Sequence, residues 1–218
     1  MNLNLKIITT RDGSNSLFNP KLNEIYHSIH GAISESMHVF IKNGIKEHKN
    51  KNISILEVGF GTGLNAILTL ANLDDKNIEY TTLEPYPIKK EIYQKLNFYK
   101  YSNIKKEEYL KIHECAWGRK IAISKKFTIR KLIEKIEDFA TKDKFNIIYF
   151  DAFAPNKQKE MWTREILEKC FNLLKNNGFL VTYCSKGHVK RLLQEIGFNV
   201  KNLSGPPGKR EMTQAFLN

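Results

Sequence analysis

From Ile53 onward, short apolar runs alternate with amphipathic stretches, and this alternation restricts the chain to a parallel sheet with helices crossing over its faces. The spacing predicts strands over residues 53–58, 78–83, 127–129, 145–150 and 178–183. Between and after them it predicts helices over 64–73, 88–98, 132–139, 163–174 and 189–196. A strand over 198–203, a Gly-Pro-rich turn at 205–208 and a returning strand over 211–217 close the series. Right-handed crossovers then put any ligand beyond the carboxyl ends of the strands.

Residues 1–50 read differently. Alternation from Leu5 to Thr10, the turn Asp12-Gly13-Ser14 and the stretch from Ser16 to Phe18 predict a hairpin. Over residues 32–47, Ile33, Met37, Phe40, Ile41 and Ile45 share one helical face able to pack on the rest. We therefore divide the chain into an N-terminal extension, 1–50, and a main α/β domain, 51–218.

A chain of 218 residues fits one large domain, which buries about 70% of the surface its unfolded form exposes. The three cysteines, Cys115, Cys170 and Cys184, have unrelated spacings and no neighbouring histidine at a metal-ligand interval, so they read as reduced thiols. With no signal-peptide core and no long apolar run, the sequence predicts a cytoplasmic protein with no membrane span. The 35 Lys and Arg against 23 Asp and Glu give a formal charge of +12, which suits a polyanionic partner such as RNA. Lys-rich genomic composition explains the same excess without one.

The most informative motif is Glu57-Val58-Gly59-Phe60-Gly61-Thr62-Gly63-Leu64-Asn65, which follows a buried strand and opens a helix. Its glycines permit close approach of a ligand to backbone. Glu84 ends the next strand about 20 residues on, where a carboxylate accepts both hydroxyls of a ribose. The glycines are spaced GxGxG rather than the GxGxxG that seats a pyrophosphate, and the closing turn and strand suit an antiparallel sheet end. S-adenosylmethionine is thus expected over a dinucleotide, with Glu57, Gly59, Gly61, Gly63, Asn65, Glu84 and Asp151 as the cofactor-binding set.

Asp151 follows the apolar strand end in Asp151-Ala152-Phe153-Ala154-Pro155, at the sheet edge where substrate and cofactor meet, and is the candidate catalytic residue. Phe153 and Trp162 are candidates to stack on a base, although either suits core packing as well. Lys186, Lys209 and Arg210, with His188, Lys190 and Arg191 nearby, are candidates for phosphate contacts, each with a solvated surface charge as the alternative. His27, His30 and His38 lack a metal-site spacing, so no metal is expected.

These residues resemble the methyltransferase domain of the bifunctional enzyme that completes 5-methylaminomethyl-2-thiouridine at the tRNA wobble position. The resemblance is carried by Asp12-Gly13-Ser14, Tyr26-His27-Ser28 through Gly31-Ala32, Glu35, His38-Val39-Phe40 and the glycine motif. It continues in Asp151-Ala152-Phe153-Ala154-Pro155, Met161-Trp162-Thr163 and Gly208-Lys209-Arg210-Glu211-Met212. It implies a Rossmann-like class I fold with a mostly parallel sheet and an antiparallel last strand. It also implies methyl transfer from S-adenosylmethionine to the amine of 5-aminomethyl-(2-thio)uridine in tRNA, with no stable protein partner. The bifunctional enzymes add a flavin-dependent oxidoreductase. This sequence shows no second nucleotide fingerprint before Asn218, so a stand-alone form without FAD is expected. After the third strand, Ile129-Arg130-Lys131 stands where many methyltransferases place an acidic residue against adenine, which leaves the adenine contact unassigned. Two other readings stay open: a spermidine synthase-like aminopropyltransferase, and a non-catalytic RNA-binding module.

Overall fold

Strand β8, Phe145–Phe150, is buried along its whole length, which requires cover on both faces of the sheet that holds it. A computed structural model of the chain describes residues 4–217; residues 1–3 and 218, which the divisions 1–50 and 51–218 include, lie outside the described residues. The main sheet has eight strands in the order β10-β11-β9-β8-β4-β5-β7-β6. In chain order these are β4 Asn52–Val58, β5 Asn77–Leu83, β6 Lys120–Ser124 and β7 Phe127–Leu132 before β8. After it come β9 Leu174–Thr182, β10 Asn199–Ser204 and β11 Glu211–Phe216. Strands β9, β8, β4, β5 and β7 run parallel, while β11 lies antiparallel between β9 and β10, and β6 runs antiparallel on the far edge.

Alternation along the central strands sorts their side chains into two cores. Ile55, Ile147 and Tyr149 face the side covered by the helix α2, Leu64–Ala71, and the helix α4, Lys106–Glu114. Leu56, Val58, Ile148 and Phe150 face the side covered by α5, Arg164–Leu173, and α6, Gly187–Ile196. Chain order reverses between β4 and β8, since β4 leads outward to β5 on one side and β8 to β9 on the other. The carboxyl ends of these two strands therefore open a crevice.

The N-terminal segment shares the first core. A three-stranded antiparallel sheet, β1 Lys6–Thr9, β2 Asn15–Asn19 and β3 Glu24–Ile25, precedes α1, Ala32–Ser36, and a π-helix over Met37–Ile45. Leu17, Ala32, Val39, Phe40, Ile41 and Ile45 join the cluster that contains Ile55 and Tyr149. The wide winding, seen where the Lys46 N–H donates to the Ile41 carbonyl (3.0 Å), changes which side chains face inward. Val39, absent from the predicted face, is fully buried, while Ile33 and Met37 are only partly buried.

Four elements differ from the sequence reading. The helix expected over 88–98 is reduced to α3, Lys90–Tyr93, followed by turns that still bury Leu96 and Phe98. The helix expected over 132–139 does not form, because β7 continues to pair with β5 as far as Leu132 and the remainder turns back. The helix α4 and strand β6 were not anticipated. In α4 the apolar signal is only Tyr109, Leu110 and Ile112 among charged and polar residues, with the Lys105 N–H donating to Glu108 Oε2 (3.1 Å) at its start.

The Phe40 ring lies 5.1 Å from that of Tyr149, joining the N-terminal segment to the central strand. Phe40→Ala is expected to lower unfolding stability by about 3–5 kcal/mol in urea titration. A loss below about 1 kcal/mol would show that residues before 50 pack only loosely.

Candidate active site

The crevice holds a cavity of about 860 Å³, walled by the glycine turn, the ends of β5, β8 and β9, and the segment from Asn19 to Ile29. Its floor plan starts with backbone. The Asp151 N–H donates to the Val58 carbonyl (3.1 Å), continuing the β4–β8 pairing past the end of the strands. The Gly59 N–H donates to the Leu83 carbonyl (3.0 Å), so the turn is anchored to β5 as well. Gly59 has φ +95°, and a Cβ there would stand 2.9 Å from the Asp151 carbonyl oxygen. Only glycine fits such an approach. Gly61 also lines the cavity, whereas Gly63 lies outside it, with φ +74° at the start of α2 against Phe60 and His113.

Glu84 lines the cavity just beyond β5, its Oε2 accepting the Gly61 N–H and its Oε1 the Tyr86 N–H, both at 2.8 Å. Burial raises its pKa against those two hydrogen bonds. Glu57 does not reach the cavity. It is fully buried beneath the turn, where Oε2 accepts the Thr82 hydroxyl (2.7 Å) and Oε1 finds no partner among the described residues. Loss of water pushes its carboxyl up to about 8 despite the Thr82 hydrogen bond.

Asp151 lines the cavity, and its Oδ2 accepts a hydrogen bond from Asn65 Nδ2 (2.8 Å). Burial raises its pKa to about 7; the Asn65 bond opposes this, Glu35 adds to it, and Lys209 opposes it. Phe153, two residues on, lines the same cavity and meets the Tyr26 ring edge-to-face with centroids 5.1 Å apart. Trp162 is not in the wall. Its ring packs edge-on against Phe150 at 5.0 Å, and its Nε1–H donates to the Phe153 carbonyl (2.8 Å), so it braces the loop that carries Phe153.

The basic candidates separate. Lys186 and Lys209 line the cavity, while Arg210 is exposed outside it. His188, Lys190 and Arg191 lie on α6, away from the wall, and Lys190 pairs with Glu211 at 3.0 Å. The three histidines do not converge. His27 is buried between Ser16 Oγ (3.0 Å) and Thr62 Oγ1 (3.3 Å), and burial lowers its pKa to about 4. His38 contacts the Ser204 carbonyl (2.7 Å) and His30 the Arg11 guanidinium (3.1 Å).

Wall residues that received no role from the sequence include Tyr26, Glu35, Glu134 and Tyr183. Tyr26 and Glu35 come from the N-terminal segment, and no local signal points them at the glycine turn. Glu134 was hidden by a strand boundary. Because β7 runs on to Leu132, the acidic residue beyond its carboxyl end is Glu134, and the Lys131 side chain is buried on the other side. Its Nζ donates to the His113 carbonyl (2.5 Å) and lies 4.7 Å over the Trp117 ring.

A carboxyl whose folded pKa lies above its unfolded value favours the protonated protein. Its contribution to stability is therefore present at low pH and lost as pH rises from about 4 through 7. Asp151→Asn removes that loss while keeping an Asn65 partner. Its unfolding free energy is expected to exceed the wild type by about 1–2 kcal/mol at pH 8, after allowance for solvent screening, and to match it at pH 4. Paired denaturant titrations at the two pH values check this; a variant less stable at pH 8 refutes it.

A family profile described as S-adenosyl-L-methionine-dependent methyltransferase matches residues 89–218. Curated relatives include the tRNA 5-methylaminomethyl-2-thiouridine biosynthesis bifunctional proteins MnmC of Campylobacter fetus, 30% identical over 92% of this chain and 34% of that protein, and of Burkholderia multivorans, 27% identical over 90% and 33%. The chain thus spans about a third of the length of the curated relatives it matches. Among solved structures, MnmC2 from Aquifex aeolicus superposes with a TM-score of 0.79 at 27% identity, covering 99% of this chain and 71% of that one. Streptomyces venezuelae DesVI, at 11% identity and a TM-score of 0.52, covers 85% of this chain and 92% of its own, and shares the fold alone. The glycine turn between β4 and α2, the strand order and the matched profile agree: the chain belongs to the S-adenosylmethionine-dependent methyltransferases.

Proposed function

We propose that this chain methylates the primary amine of 5-aminomethyl-(2-thio)uridine at the wobble position of tRNA, giving the 5-methylaminomethyl form. The observation that carries the reading is Asp151, a carboxyl near neutrality in the wall of a cavity shared with the glycine turn. The relatives named for 5-methylaminomethyl-2-thiouridine biosynthesis support the substrate, and the formal charge of +12 suits a polyanion.

The residues present fit the methyl donor of the family. Gly59 and Gly61 present bare backbone to the cavity, Asn65 Oδ1 is buried without a partner among the described residues, and Glu84 is a carboxylate at the strand end beside them. We assign Gly59, Gly61, Asn65 and Glu84 to hold it, with Glu57 and Gly63 shaping the turn from beneath and Glu134 on the adjoining wall. When bound, S-adenosylmethionine supplies a methyl group on a positively charged sulfur, which a neutral amine displaces.

The protein's task is to deliver that amine neutral and aligned. An alkyl amine with a pKa of about 10.4 is neutral in about four molecules per ten thousand at pH 7, a cost of about 4.6 kcal/mol. Asp151, held through Oδ2 by Asn65, accepts the proton and then orients the amine. Phe153 faces the uracil ring, with Tyr26 closing over it to exclude water and Trp162 holding the Phe153 carbonyl in place. Lys186 and Arg210, both exposed, contact phosphates of the anticodon loop. Residues 1–50 act as an extension of the main domain that supplies one wall, and the whole works in the cytosol. No helix among the described residues is long and apolar enough to cross a membrane.

Nucleoside mass spectrometry of tRNA bearing aminomethyl-uridine, after incubation with the protein and S-adenosylmethionine, is expected to show conversion to the methylaminomethyl form, abolished in Asp151→Ala. No conversion despite cofactor binding would overturn the substrate, and turnover of free polyamines without RNA would favour an aminopropyltransferase. Glu84→Ala, which frees the Gly61 and Tyr86 N–H groups, is expected to weaken S-adenosylmethionine binding at least about ten-fold by calorimetry, since hydrogen bonds to charged groups contribute about 1.5–3 kcal/mol each. Unchanged affinity would remove Glu84 from the cofactor site.

A further inference from the structure

The N-terminal segment and the C-terminal hairpin meet at one ion pair in the cavity wall. Glu35, on α1, is 7% exposed; its Oε2 accepts the Ser28 N–H (2.7 Å) and its Oε1 accepts the Lys209 ammonium (2.5 Å). Lys209 comes from the turn between β10 and β11, and its Nζ sits 3.8 Å from the centre of the Tyr183 ring. The Tyr183 hydroxyl donates to the carbonyl of Ala152, the residue after Asp151, at 2.8 Å. Glu35, Lys209, Tyr183 and Asp151 all line the one cavity. A lysine committed to a buried carboxylate and an aromatic face is a poor phosphate contact, although its sequence setting among basic residues suggests one.

We infer that Lys209 is a positioning residue: paired with Glu35, it balances charge in the cavity so that Asp151 can ionise and take the proton of the incoming ammonium. The inference rests on the proposed amine methylation and adds to it a part for two residues with no role in that reaction.

Two carboxylates in a water-poor cavity compete for one proton, and without a cation one of them stays protonated. A lysine placed directly on Asp151 would hold it ionised too firmly to act as a base. Commitment of Lys209 to Glu35 avoids both results: the pair is neutral, and at this end of the cavity Asp151 supplies the negative charge that matches the ammonium, while Glu84 and Glu134 stand at the ends of β5 and β7 with β4 between them and Asp151. The proton step is then closed. The N–H bond breaks, its electron pair stays on nitrogen, the proton binds the Asp151 carboxylate, and the neutral amine is left facing the methyl donor.

The other groups around the cluster do not supply that charge at neutral pH. Below it, Glu57 is pushed up to about 8 by burial and remains protonated, and the Tyr80 hydroxyl is raised well above its ordinary value. From the N-terminal segment, burial lowers His27 to about 4 and leaves it neutral, and Glu24 is already engaged by Lys157 at 3.7 Å. At the end of β9, burial raises both the Tyr183 hydroxyl and the Cys184 thiol.

The test needs no RNA. In protein labelled with ¹³C at aspartate carboxyls, the Asp151 signal is identified by its loss in Asp151→Asn and titrated by NMR. Lys209→Gln is expected to raise the midpoint by about one pH unit, Glu35→Gln to lower it, and the double variant and Lys209→Arg to return it near the wild type. Circular dichroism checks that each variant is folded. The acid limb of kcat/KM on aminomethyl-uridine tRNA should move by the same amounts. Midpoints unmoved in both single variants would overturn the inference. So would a Lys209→Gln protein whose only defect is weaker tRNA binding with a shallower salt dependence, the signature of a phosphate contact. Midpoints that move in a protein unable to methylate the tRNA would leave the charge pairing standing and sink the substrate assignment instead.

Discussion

Asp151 stands beside the glycine turn because its N–H continues the β4–β8 pairing by donating to the Val58 carbonyl. That register, Val58 opposite Phe150, is held by two cores at once, since alternate residues of both strands enter opposite faces of the sheet. A slip of one residue would exchange those faces and bury polar groups. The register that packs the cores therefore also brings the carboxyl of one strand end to the backbone turn of its neighbour. Gly59 completes the arrangement, because any side chain there would collide with the Asp151 carbonyl.

The electrostatics of the cavity follow from the same geometry. Glu57, on the strand face shared with Tyr80 and Tyr149, is buried under the turn, and Asp151 lines the cavity beside Asn65. Both carboxyls are pushed upward by loss of water, Glu57 to about 8 and Asp151 to about 7. Glu35 and Lys209 add a pair whose two charges act on Asp151 in opposite senses. Such an arrangement costs stability at neutral pH, as sites that hold a carboxyl poised near neutrality generally do.

The N-terminal segment is part of this site rather than an appendage to it. Lys157, in the loop after Asp151, donates to the carbonyls of Leu22 (3.1 Å) and Asn23 (2.9 Å), and Tyr26 meets Phe153 across the opening. His27 ties the same segment to the glycine turn through Thr62. Each of these contacts joins residues separated by tens to more than a hundred positions in the chain. None has a signature that a local reading can detect.

The sequence alone determined the alternation of strands and helices, the glycine turn after β4, the carboxylates Glu84 and Asp151 at strand ends, and the returning antiparallel strand. These are legible because periodicity and glycine placement are local properties of a few consecutive residues. Charged helices with a thin apolar stripe, such as α4, and the winding of the π-helix were not, since packing rather than propensity decides them. Tertiary structure decided the length of β7, and with it that Glu134 rather than Lys131 faces the cavity. It also decided that Trp162 braces the site from behind, that Glu57 lies beneath it, and that Lys209 gives its charge to Glu35. The physical reason is common to all of these: whether a side chain meets a ligand, a core or a partner charge depends on strand register and on which distant segment covers it.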